Sequence, residues 1–185
     1  TRPDRLFGLH FMNPVPLMPL VELVRGRQTS DDTMALGREV CFTLGKTAIE
    51  SADSPGFIAN RILMPMINEA VFALMEGVGT AEDIDAGARV GLNHPMGPLE
   101  LADFIGLDVC LGIMRVLDDG IGGPQFAAPK VLEDLVAAGH LGQKTAHRLV
   151  ARLRHAVEPG RQMQQRHAAK PLAAPCRRPV QRVVD

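Results

Sequence analysis

Three side chains in the first third of the chain have the chemistry to handle a proton. His10 lies next to the end of an apolar run over residues 6–11 that reads as a short buried strand. Glu22 lies near the end of a second such run, over 20–25. Asn60 follows Pro55-Gly56 in what reads as the first turn of a long helix. A neutral imidazole can take a proton from a hydroxyl and return it, and a neighbouring carboxylate would fix its tautomer. Ligands of open α/β sheets bind at the carboxyl ends of strands, which is where His10 is expected. On spacing alone the pair is equally consistent with a hydrogen-bonded core histidine. Asn13, before Pro14, and Asn60 would present amides near the same strand ends, where they could bind a carbonyl or alcohol oxygen. Turn stabilisation for Asn13 and capping for Asn60 are the structural alternatives.

The elements that must position these groups follow from the same residues. Pro14 and Pro16 predict an extended connection between the first two strands. Ser30 suits the N-cap of a helix over 31–44, with Asp31 and Asp32 at its positive end and Gly45 beyond its last turn. Residues 47–50 read as a third strand. Strand, strand, helix, strand is the closing edge of an α/β sheet. From Pro55 the pattern becomes helical: a long apolar helix over 57–76 that contains Pro65, a helix opened by Thr80 and running to about 90, a short one from Pro98, one over 107–117, and one over 130–138. The expected fold is therefore mainly α: a remnant α/β edge of three short strands and one helix, then an all-α module of about five helices. The long helix is apolar over more than one stripe, through Ile58, Ile62, Leu63, Met66 and Leu74 among others, which predicts cover from a second subunit.

Composition narrows the function classes. The 185 residues are 46% hydrophobic and 22% charged, ordinary for a globular protein. The longest apolar run, 62–67, is far too short to cross a bilayer. The charged start, Thr1-Arg2-Pro3-Asp4-Arg5, does not resemble a signal peptide. Cys41, Cys110 and Cys176 lie far apart without metal-like spacing, so reduced thiols, a cytoplasmic setting and no metal centre are expected. Residues 1–145 hold 11 basic and 19 acidic side chains, a net −8, whereas 146–185 hold 9 and 2, a net +7. An acidic body argues against nucleic acid as partner. The tail has the composition of a disordered extension.

The motifs Gly8-Leu9-His10-Phe11-Met12-Asn13-Pro14-Val15-Pro16, Leu20-Val21-Glu22 and Pro55-Gly56-Phe57-Ile58-Ala59-Asn60-Arg61 resemble the L-3-hydroxyacyl-CoA dehydrogenases, and most nearly the bacterial 3-hydroxybutyryl-CoA type. Glu82-Asp83-Ile84-Asp85 and the run from Asn93-His94-Pro95-Met96-Gly97-Pro98 to Gly106-Leu107-Asp108 continue the likeness, which covers about residues 2–145. The resemblance implies oxidation of the 3-hydroxyl of an acyl-CoA substrate by NAD. His10 matches the family's catalytic base, Glu22 its carboxylate partner, Asn60 the amide at the substrate's reacting end, and Asn13 the cofactor-binding residue beside the nicotinamide. It also implies a homodimer through the helical domain. The implied organisation is a remnant NAD-binding domain over 1–54, a helical domain over 55–145, and a basic tail over 146–185.

The chain departs from that family in two places. Its Gly-x-Gly-x-x-Gly loop and ribose-binding acid are absent, so the half that binds the dinucleotide is expected to be missing, and the fragment alone to be inactive. After Thr145 the family's glycine-rich, aromatic-ending segment is replaced by Ala146-His147-Arg148-Leu149-Val150 onward, which reads either as a frame-shifted sequence or as a basic helical extension over 147–155. Two further functions stay open: a non-catalytic dimerisation or interaction module, and complementation by a separately encoded NAD-binding half.

Overall fold

The central strand of the sheet is the most apolar one. In the computed structural model, which describes residues 2–146 and Leu149, β1 (Gly8–Phe11), β2 (Leu20–Arg25) and β3 (Thr47–Ala52) lie side by side in that order. Val21, Glu22, Leu23 and Val24 of β2 are all buried. β1 runs antiparallel to β2, and β3 runs parallel to it. The parallel pair needs a crossover, which α1 (Asp31–Thr43) supplies. Ser30 caps α1, its Oγ accepting from the Thr33 N–H at 3.2 Å. Gly45 follows α1 with φ of 67°, the left-handed geometry that favours glycine after a helix. Gly37 lets α1 press on Leu23, since any side chain there would collide with that leucine.

Two expectations need correction. The β1–β2 connection is a tight turn, not an extended segment: the Pro14 carbonyl accepts from the N–H groups of Leu17 and Met18, and Lys46 holds the loop through the carbonyls of Val15 and Met18. The first strand begins at Gly8, two residues late. Pro3–Arg5 is a short 3₁₀ turn, and the Leu6 carbonyl is taken by the Thr29 hydroxyl at 2.6 Å.

The chain forms two compact units, Thr1–Ile62 and a second from Leu63 onward. The division falls within α2 (Ala59–Met75), which accommodates Pro65 internally. The second unit continues with α3 (Ala81–Ala86), a π-helical turn over Gly87–Gly91, α4 (Pro98–Ile105), α5 (Leu107–Gly120) and α6 (Lys130–Ala137). Its core gathers Met64, Ile67, Val71, Leu99, Leu107, Met114, Leu117 and Leu132. Of the basic tail, Ala146 and Leu149 are described. Leu149 is buried in this core, and its N–H donates to Asp103 at 2.7 Å. The remainder of the tail lies outside the described residues, as does Cys176. Cys41 and Cys110 are free and buried, and burial pushes the Cys110 thiol up to about 12. No helix among the described residues is long and apolar enough to cross a membrane.

Asp85 organises the turn into α4. Its carboxylate accepts from the N–H groups of Leu99 at 2.8 Å and Glu100 at 3.1 Å, and a side chain at Gly97 would run into it. Burial raises its carboxyl above the ordinary 3.8, against the lowering effect of those two amides. The folded unit therefore binds that proton more tightly than the unfolded chain does. Asp85's contribution to stability is fullest below pH 3.8 and declines as pH rises through the raised value. Thermal melts of the wild type and Asp85→Asn across the acid range should show this component in their difference. Asp85→Ala, which strands two amides, should cost about 1–3 kcal/mol per unsatisfied donor by chemical denaturation.

Candidate active site

The antiparallel register sets His10 directly opposite Glu22. Their side chains meet, with His10 Nδ1 2.6 Å from Glu22 Oε2. Sequence pattern puts Glu22 near the end of its strand. It is in fact the third residue of β2, because the strand runs antiparallel and its first half lies beside the last half of β1. His10 is the penultimate residue of β1, but it does not lie at the carboxyl end of the parallel pair, so the strand-end rule that pointed to it does not apply in that form.

Glu22 is completely buried, while the His10 side chain is 29% exposed. A buried carboxylate needs several donors. The second Glu22 oxygen, Oε1, accepts from the backbone N–H groups of Ile58 and Ala59, both at 2.9 Å. These are the amides at the start of α2, which lack partners within the helix and carry the positive end of its dipole. One carboxylate thus binds the imidazole with one oxygen and the helix start with the other. With an ionised Glu22 accepting from Nδ1–H, the lone pair of the histidine lies on Nε2. That nitrogen can take a proton, and the imidazolium so formed is steadied by Glu22.

Phe57 completes the surroundings of the ring. Its centroid lies 5.3 Å from that of His10, tilted by 53°. Both residues line a cleft of about 490 Å³ that also involves Gly26, Arg27, Thr29 and Asp53. Gly26 and Asp53 directly follow β2 and β3, so this cleft opens at the carboxyl ends of the parallel pair. Asn60 stands in the first turn of α2, half-buried, one residue beyond the second Glu22 donor. Asn13 is exposed in the turn after β1. Among the described residues, neither asparagine side chain hydrogen-bonds to His10 or Glu22. Sequence pattern alone gives no sign of Phe57 or of the Ile58 and Ala59 amides. The available signal was Pro55-Gly56, which marks a sharp chain reversal just before the helix.

Comparison with known proteins agrees with these motifs. A family model described as 3-hydroxyacyl-CoA dehydrogenase, C-terminal domain, matches residues 56–152, more than half of the chain. The chain belongs to the 3-hydroxyacyl-CoA dehydrogenase family. The model for that family's NAD binding domain matches residues 1–54. Over 144 residues the chain is 56% identical to 3-hydroxybutyryl-CoA dehydrogenase of Bradyrhizobium diazoefficiens, covering 78% of this chain and 49% of that protein. A probable 3-hydroxybutyryl-CoA dehydrogenase of Deinococcus radiodurans is 55% identical over 144 residues, covering 78% and 52%. The crystal structure of (S)-3-hydroxybutyryl-CoA dehydrogenase from Ralstonia eutropha matches with a TM-score of 0.75 at 51% identity, covering 80% of this chain and 52% of that one. The chain spans about half the length of these relatives.

The clamp on Glu22 can be measured directly. Glu22→Ala leaves the Ile58 and Ala59 amides and His10 Nδ1 without their acceptor, and should destabilise the first unit by about 1–3 kcal/mol per stranded donor. Glu22→Gln keeps an oxygen for the two amides and should lose less. Equal midpoints for the two variants in urea unfolding would show that the amides contribute nothing.

Proposed function

We propose that this chain carries the proton-handling part of an NAD-dependent 3-hydroxyacyl-CoA dehydrogenase, acting on a short substrate of the 3-hydroxybutyryl-CoA type. The observation that carries it is the His10–Glu22 pair, with Nδ1 engaged at 2.6 Å and Nε2 left to meet a hydroxyl. In the oxidative direction His10 Nε2 takes the proton of the 3-hydroxyl as the C3–H bond breaks. NAD, when bound, supplies the acceptor for the hydride leaving C3. Glu22 holds the imidazole in the required tautomer and balances its positive charge. In the reverse direction the imidazolium returns the proton to the forming alcohol. Asn60 is assigned to the reacting end of the substrate and Asn13 to the nicotinamide side. The exposure of Asn13 and the half-burial of Asn60 suit groups that meet ligands.

The match of residues 1–54 to an NAD binding domain, together with the open cleft beside His10, supports NAD as the cofactor. We assign further dinucleotide contacts to a family NAD-binding half beyond these residues, a reading supported by the lack of a Gly-x-Gly-x-x-Gly run here. A cytoplasmic homodimer through the helical unit is the proposed assembly, supported by apolar side chains exposed there, Val90, Leu92, Phe104 and Val116 among them.

Oxidation of NADH with acetoacetyl-CoA tests the proposal in the chain completed by a family NAD-binding half. His10→Ala should lower turnover by about 10²–10⁴-fold, the contribution of a positioned acid/base. Glu22→Gln should also slow turnover, because its amide would face Nδ1 and favour the wrong tautomer. Full activity in His10→Ala would refute the assignment. The present chain without that half should show no turnover.

A further inference from the structure

We propose that Phe57 is a positioning residue for His10, acting through its backbone and its ring together. The inference rests on His10 being the proton acceptor proposed above. Phe57 has a φ of 48°, and it directly follows Gly56 at 73°. Two successive left-handed residues reverse the chain at the mouth of α2. The next two N–H groups, those of Ile58 and Ala59, are the ones that Glu22 accepts from. Left-handed geometry is natural for glycine and tolerable for asparagine, but unfavourable for a bulky side chain. Such outliers persist where the surroundings over-determine them, and they cluster at functional sites.

The side chain supplies a reason for the outlier. The phenyl centroid is 5.3 Å from the imidazole centroid at a tilt of 53°, within the range of favourable aromatic pairs. Glycine at 57 would suit the backbone better and would leave the imidazole without this wall. Glu22 holds one edge of the ring at Nδ1 and Phe57 covers it from the side, which limits how the imidazole can rotate and leaves Nε2 one direction to face. The same residue therefore meets both members of the pair, with its backbone aiming the amides that hold Glu22 and its ring confining His10. Asn60, three residues on in the first turn of α2, directly follows this reversal.

Nitrogen-15 imidazole spectra of the present chain, with His10→Gln used for assignment, read the ring without needing turnover. In the wild type the Nδ1–H tautomer should dominate. Phe57→Leu should shift His10 toward a mixture of tautomers and displace its ring protons through loss of the neighbouring aromatic current. Phe57→Tyr should restore both signals. Phe57→Gly should change the ring signals in the same way while the Ile58 and Ala59 amides keep their hydrogen-exchange protection, since glycine accepts the left-handed backbone. If Phe57→Leu does not fold, the glycine and tyrosine variants decide the matter. An Nδ1–H signal and tautomer ratio unchanged in the glycine variant would overturn the proposal. Failure of the functional assignment has a different signature: an ordered imidazole that responds to Phe57 in an enzyme that keeps full activity without His10.

Discussion

A single buried carboxylate governs the first unit. Glu22 sits at the centre of the sheet with no solvent exposure and is held by an imidazole and two backbone amides. Burying a charge without such partners would be prohibitive, and removing one member of a buried pair costs more than the pair contributes. The chain must therefore bring β1, β2 and the start of α2 together at one point before the glutamate is tolerable. That requirement is what places a titratable ring beside a fixed acceptor.

The second unit repeats the device. Asp85 is nearly enclosed and accepts from two amides at the start of α4, with Gly97 leaving room for it. In both places an acidic side chain from elsewhere in the chain substitutes for a local cap. Gly97 has no side chain to cap α4, and the residue before α2 is Ile58, which cannot cap either. The two carboxylates differ in what else they touch. Both Asp85 oxygens accept from the start of α4, whereas Glu22 keeps an oxygen for His10. A helix cap thus becomes part of a proton-handling pair through one additional neighbour.

Much of this was legible in the residues. The Ser30 and Thr80 caps, the strand runs around His10 and Glu22, and the glycine beyond α1 all rest on short-range chemistry, and each lies within a residue or two of its expected place. The β1–β2 turn departs from its expected extended path because two prolines fix φ without fixing the path, and the Lys46 contacts that hold it come from 28 and 31 residues away. The part played by Phe57 is not legible in the sequence, because nothing in a Pro-Gly-Phe run says which backbone torsion the phenylalanine will take.

Residue types and their order determined the family, the element sequence and the candidates for proton chemistry, because hydrophobic period, capping preference and motif spacing are local properties. The pairing of His10 with Glu22 was a matter of register. A one-residue slip in an antiparallel ladder turns every side chain to the opposite face, so only the assembled sheet could decide it. The two amides on Glu22 and the ring beside His10 depended on tertiary structure for a further reason: they are presented by a chain reversal far away in sequence, with the amides 36 and 37 residues beyond Glu22, and its torsions are set by what it packs against.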